Sequence, residues 1–170
     1  MEKTVWKKIW EWVEPLIIAG VVAAIMFFVC WPLRVVGPSM ESTFKDRDRA
    51  FMSRVMIYMD KIDRGDIVVC NIDEEEGPNI VKRIIGLPNE RVSIQDGIVY
   101  IDMKKWIEPY LDDGYTSGDL DIVLGENEYF VLGDNRPVSK DSRQLGPISK
   151  EAIIGKVFFK FYPFNNMSRF

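Results

Sequence analysis

VSIQDGIVYI, residues 92–101, reads as a β-hairpin. Apolar side chains flank Asp96-Gly97, a dipeptide suited to a two-residue turn with positive φ at both positions. Short β-rich runs extend outward from it on both sides, at residues 50–59, 67–72 and 80–87 before it and at 129–132 and 153–161 after it. Turn residues separate them: Arg64-Gly65-Asp66, Glu76-Gly77-Pro78, Leu87-Pro88-Asn89 and Gly133-Asp134-Asn135. No amphipathic helical stretch of useful length follows Leu33, and the polar, glycine-containing residues 112–128 read as a loop. The expected fold is mainly β, a barrel or sandwich.

Ahead of this domain, Glu14 and Arg34 bracket a stretch without charge, residues 15–33. As a helix it would span about 28 Å, close to the hydrocarbon thickness of a bilayer. Trp6, Trp10, Trp12 and Trp31 flank it, as indoles do at membrane interfaces. A buried core helix would also be apolar, but hydrophobicity all round with aromatic flanks suits lipid better. A cleaved signal peptide would be shorter and followed by a small-x-small site, and Pro32-Leu33-Arg34-Val35-Val36 holds none. Phe27-Phe28-Val29 before Cys30 is too bulky for a lipoprotein signal. The expected organisation is a flank (1–14), one transmembrane anchor (15–33) and a β-rich domain (34–170). Charge leaves the orientation open, because Lys3, Lys7 and Lys8 balance Arg34, Lys45, Arg47 and Arg49.

Composition removes several function classes. The chain of 170 residues carries 26 acidic and 22 basic side chains, a net charge of −4, which disfavours nucleic acid as a partner. It has no histidine, which excludes a Ser-His-Asp triad, a Cys-His dyad and a histidine-held metal. Cys30 lies in the apolar run and Cys70 in a strand, so no disulfide is expected, and neither metal nor cofactor is called for. Asp112-Asp113-Gly114 lacks the ligand spacing of a calcium loop, and Asp73–Glu76 reads as a solvated turn. An enzyme of this composition must move protons with Lys, Asp, Glu, Tyr or Cys.

Lysine is useful as a base only when neutral, which at pH 7 costs about 4.6 kcal/mol unless burial lowers its pKa. Lys82 lies in IVKRII, residues 80–85, sharing a strand face with Ile80 and Ile84. It reads either as a desolvated base or as a lysine snorkelling from an edge strand. Ser39, in the tight segment Gly37-Pro38-Ser39-Met40, is either a turn serine or a nucleophile offering hydroxyl and backbone N–H together. Asp141 and Arg143 could pair along an extended chain and aim Ser139 at a partner, or form a charged surface turn.

Together these clusters resemble the signature boxes of bacterial type I signal peptidases, the Gram-positive branch in particular. The boxes are Ser39-Met40 with Thr43, Arg64-Gly65-Asp66-Ile67-Val68, Val81-Lys82-Arg83 with Gly86, and Gly133-Asp134-Asn135-Arg136 with Ser139, Asp141, Ser142 and Arg143. They occur in the family's order after an N-terminal anchor. Two positions depart from the pattern. Ser42 stands where the family usually has proline, which would loosen the turn, and Gly37 stands where some members carry an oxyanion-hole serine, leaving the Gly37 backbone as a substitute donor.

The resemblance implies a membrane-anchored serine endopeptidase that cleaves signal peptides from exported preproteins, with Ser39 as nucleophile and Lys82 as general base. It implies that Ser139 hydrogen-bonds the Lys82 amine and that Asp141 and Arg143 brace the loop. The expected pocket, for small residues before the cut, is walled by Val35, Met40, Phe44, Ile80 and Val81, with the peptide added as a strand beside residues 80–82 and the segment before Ser39. It also implies a single-pass protein of the bacterial cell membrane with its catalytic domain outside the cytoplasm. The rival readings are another Ser/Lys protease, such as the self-cleaving repressors, or a tethered β-domain that binds a partner without catalysis.

Overall fold

Strand β4 (Ile80–Gly86) organises the molecule, and in this computed structural model its residues are fully buried from Lys82 onward. The structure describes residues 2–59, 61–72, 79–111 and 114–170. The expectations for Asp73–Glu76, Glu76-Gly77-Pro78 and Asp112-Asp113 lie outside the described residues.

The chain begins with helix α1 (Glu2–Val29) and passes into β1 (Trp31–Arg34), β2 (Arg49–Ser53), the single turn α2 (Val55–Tyr58) and β3 (Ile67–Cys70). After β4 come β5 (Arg91–Gln95), β6 (Ile98–Ile101), β7 (Lys104–Lys105), β8 (Leu120–Val123) and β9 (Glu128–Leu132). Then follow the single turn α3 (Ser142–Leu145), β10 (Ile148–Ser149), β11 (Ile153–Tyr162) and β12 (Ser168–Arg169). The large sheet is eight-stranded, in the order β1-β2-β11-β3-β4-β9-β10 with β12 beside β11. A second sheet has four strands, β7-β6-β5-β8. The fold is thus mainly β, as expected, but the large sheet is an open path whose end strands do not pair.

The Asp96-Gly97 turn joins β5 to β6 in the expected register, Gln95 opposite Ile98, with φ of 51° and 78°. Other expectations change. The apolar run 15–33 is not one helix: α1 stops at Val29, because Pro32 cannot continue it and favours an extended residue before it. Trp31–Arg34 pairs with Arg49–Met52 instead. Among the described residues no helix is long and apolar enough to cross a membrane. Only the first half of residues 50–59 is strand; the rest forms α2, which sets Ile57 against the core of Ile62, Val68 and Ile84. Residues 112–128 are not simply a loop, since β8 within them pairs with Arg91–Ile94, a partner that local sequence does not reveal. Cys30 and Cys70 are both free thiols.

Two apolar clusters lie on opposite faces of the large sheet, Ile67 and Val69 in one and Val68 and Cys70 in the other, and a third, built on Val92, Ile94, Val99, Phe130 and Leu132, joins it to the small one. Gly86 lies at that junction. A Cβ there would stand 2.5 Å from Val92 Cγ2, 2.7 Å from Leu124 Cδ1 and 3.0 Å from Phe130 Cβ. Gly86→Ala is expected to destabilise the fold by about 1–3 kcal/mol through overpacking, read as a lower denaturation midpoint; an unchanged midpoint would refute this account of the junction.

Candidate active site

Ser39 starts the turn that carries the chain from β1 back toward β2. Val35 N–H donates to Asp48 O and Arg47 N–H to Val35 O, both at 2.9 Å, extending the β1–β2 pairing up to the turn. The reversal needs Gly37 at φ 87°, in the left-handed region. Glu41 N–H then donates to Pro38 O at 3.0 Å and Phe44 N–H to Met40 O at 2.7 Å. Ser42 has φ 91°, which a proline ring could not adopt, so the turn here differs from the proline-bearing pattern. It is not loosened: Ser42 Oγ donates to Tyr110 O at 2.8 Å.

Lys82 comes from β4, opposite Val68 of β3. Its side chain is 3 % exposed, and Nζ donates to Ser39 Oγ at 2.8 Å. Burial pushes the Lys82 amine below its ordinary pKa, because its apolar surroundings solvate charge poorly; Asp141, Cys70 and Asp134 oppose that shift. Burial likewise pushes the Cys70 thiol up to about 12. A snorkelling lysine would reach solvent, and this one ends on a hydroxyl.

The neighbouring carboxylates are occupied by arginines. Arg83, on the opposite face of β4 from Lys82, donates from Nε to Asp134 Oδ1 at 2.8 Å and from Nη2 to Asp134 Oδ2 at 2.6 Å. It also donates to Gly65 O at 2.7 Å and to Thr43 Oγ1 at 3.1 Å, with the Tyr110 ring 3.9 Å from its guanidinium carbon. Thr43 Oγ1 donates to Asp134 Oδ2 at 2.6 Å, which ties the Ser39 turn to the pair. Asp141, fully buried, accepts from Arg143 Nε at 2.8 Å, from Arg143 Nη2 at 2.9 Å and from Gly133 N–H at 3.1 Å. Lys160, also buried, donates to Thr43 O at 2.8 Å and lies 3.6 Å from Asp48. Thr43, Arg83 and Asp134 stand in the boxes quoted from the sequence but carry no role there, and Lys160 stands in none; the available signal was an arginine next to Lys82 that must be buried when its strand is central.

Three expectations are corrected. Ser139 makes no hydrogen bond to Lys82: its Oγ is buried without a partner, because Ser139 N–H bonds Asn135 O at 3.1 Å and the turn directs the side chain against Gly133. The Gly37 backbone is not a spare oxyanion donor, since its N–H is taken by Asp46 Oδ1 at 2.9 Å. Ser39 N–H has no hydrogen-bond acceptor among the described residues. The pocket residues also divide. Val35, Met40 and Phe44 are buried in the core beneath the turn, with Val81 half-buried against them, while Ile80 packs on the other cluster. Only Ile80 and Val81 of the five offer partly open side chains. No group of three or more His, Cys, Asp or Glu among the described residues could hold a metal ion.

The edge of β4 is open beside this pair. Strand β9 covers it from Arg83 to Gly86 and leaves it at Leu132, so among the described residues Ile80–Lys82 have a strand partner, β3, on one side only. A desolvated amine on a serine hydroxyl, a free N–H on that serine and an open strand edge can together bind an extended chain and attack its carbonyl.

Comparison with known proteins points the same way. A family model described as "Signal peptidase, peptidase S26" matches residues 9–162. Signal peptidase I S of Bacillus subtilis (strain 168) is 41 % identical over 176 aligned residues, covering 96 % of this chain and 94 % of that protein. Signal peptidase IB of Staphylococcus aureus (strain COL) is 34 % identical, covering 94 % of this chain and 92 % of that protein. The crystal structure of a signal peptidase I from Enterococcus faecalis V583 superposes with a TM-score of 0.51 at 32 % identity, over 56 % of this chain and 96 % of that one.

Gly133 is the tightest point of the site. A Cβ there would fall 2.1 Å from Ser139 Oγ and 2.5 Å from the Ser39 carbonyl oxygen, which is backbone and cannot swing away. Gly133→Ala should therefore displace Ser39 from Lys82. It is expected to slow acylation of Ser39 by an electrophilic serine probe about 100-fold, followed by mass spectrometry; wild-type labelling would contradict this packing.

Proposed function

The chain belongs to the signal peptidase family, peptidase S26, and on that premise we propose that Ser39 and Lys82 are the dyad with which it cleaves signal peptides from exported preproteins. The observation that carries the assignment is the 2.8 Å contact between Lys82 Nζ and Ser39 Oγ on a buried amine. When Lys82 is neutral the contact reverses and the Ser39 hydroxyl donates to Nζ. As Oγ attacks the scissile carbonyl, the proton passes to Nζ, and the Ser39 N–H receives the developing oxyanion. Protonated Lys82 then gives that proton to the departing amine. Neutral again, it takes a proton from water, whose oxygen attacks the acyl ester; the proton returns to Ser39 Oγ as the ester breaks.

The acyl side of the substrate lies as an added strand along Ile80–Lys82, with small side chains toward Ile80 and Val81. Asp141 and Arg143 hold the loop that carries Ser139, whose hydroxyl stays buried and without a partner. Helix α1 holds the enzyme at the bacterial cell membrane, with the catalytic domain outside the cytoplasm. Its exposed Leu16, Ile17, Ile18, Val21, Val22 and Met26 support that reading, since such a face finds no protein to cover it. The anchor then ends at Val29 and the catalytic domain starts with β1. Cleavage sites of signal peptides lie just beyond their own apolar segments, and Ser39 likewise follows shortly after the end of α1.

Ser39→Ala and Lys82→Met, assayed separately on a preprotein, should each lower cleavage by on the order of 10³-fold or more with the unfolding midpoint retained. Full cleavage by folded Lys82→Met would end the dyad assignment. The pH dependence has a definite sign. Protonated Lys82 cannot accept the serine proton, so kcat/KM should rise with pH through the lowered pKa of Lys82 and fall away in acid. The rising limb belongs below the ordinary lysine range, and a flat profile from pH 5 to 9 would contradict it.

A further inference from the structure

Strand β9 dictates where the substrate must go after the scissile bond. It fills the position beside β4 from Arg83 onward, so a peptide lying along Ile80–Lys82 cannot continue in that lane. With the acyl residues beside Ile80–Lys82, the residues beyond the cut are turned out of the sheet at Ser39. They leave over the junction of the turn that follows Ser39 with the loop that follows β9. These two segments meet there: Asn135 N–H donates to Ser39 O at 3.1 Å, and Asn135 Nδ2 donates to Glu41 Oε2 at 3.3 Å.

Glu41 is exposed, stands two residues after the nucleophile and has no ion-pair partner among the described residues. Other carboxylates around the dyad do not share this state. Asp134 and Asp141 are buried and paired with Arg83 and Arg143, and Asp48 is buried beside Lys160. The exit therefore carries the negative charge of Glu41, which accepts from the Asn135 amide and stands two residues beyond Ser39.

We propose that Glu41 is a specificity residue on the leaving-group side, favouring preproteins with a cationic side chain in the first residues after the cut and disfavouring acidic ones there. The inference rests on the Ser39–Lys82 assignment and on the acyl strand lying beside Ile80–Lys82. A pair of exposed charges changes a rate constant modestly, and salt screens it.

The test uses the full chain and three preprotein-derived peptides that differ only at the second residue after the cut: Lys, Gln or Glu. The wild type should cleave the Lys peptide with a kcat/KM about two- to fivefold above the Glu peptide, and high salt should shrink the difference. Glu41→Gln keeps an oxygen acceptor for Asn135 and should bring the ratio near one, while Glu41→Lys should invert it. A wild-type ratio of one or below, or a ratio unchanged in Glu41→Lys, overturns the inference while cleavage still depends on Ser39. Cleavage that persists in Ser39→Ala overturns the dyad assignment and this inference with it, so the two failures are distinct.

Discussion

A single amine kept out of water decides whether this site can work. Two buried carboxylates, Asp141 and Asp134, act on Lys82 through their charge, and either one paired directly with it would hold it charged. Arg83 and Arg143 prevent this by taking Asp134 and Asp141 as bidentate partners. The carboxylates still exert a field on Lys82, yet desolvation outweighs them, and the amine is left to face a hydroxyl. Arginine suits this task because it keeps its charge at any working pH and matches both oxygens of a carboxylate.

The alternation of β4 makes the arrangement possible. Lys82 and Arg83 are neighbours in sequence but point to opposite faces, so one residue meets Ser39 while the next organises Asp134, Thr43 and Gly65. The Ser39 turn is held at several points: by Arg83 through Thr43, by Lys160 through the Thr43 carbonyl, by Asn135 through the Ser39 carbonyl, and by Ser42 through Tyr110. Removing one member of a buried ion pair leaves an unpaired charge and typically costs about 3–5 kcal/mol, so these ties hold the fold as well as the site.

Much of this was legible in the residues. Asp96-Gly97 announced its hairpin because few dipeptides accept two positive φ angles, and the lack of histidine directed attention to lysine. Lys82 stood out as a cation in an apolar strand. What misled was each feature set by a distant partner. The end of the apolar run became β1 because Arg49–Met52 was there to pair with it, and residues 120–123 became β8 because β5 had a free edge. Met40 and Phe44 are apolar for the sake of the core and not of an open pocket.

Chemical identity along the chain determined which groups could act: a serine in a glycine-led turn, a lysine among isoleucines, and carboxylates and arginines clustered near one loop. Those properties are local, and local steric and solvation rules suffice to read them. Tertiary structure alone decided that Ser39 and Lys82 meet at 2.8 Å, that Ser139 faces Gly133 instead of the amine, and that Gly37 spends its N–H on Asp46. Distances between residues far apart in sequence depend on how the sheets stack and which strand edges remain open, and that is a property of the whole packed chain.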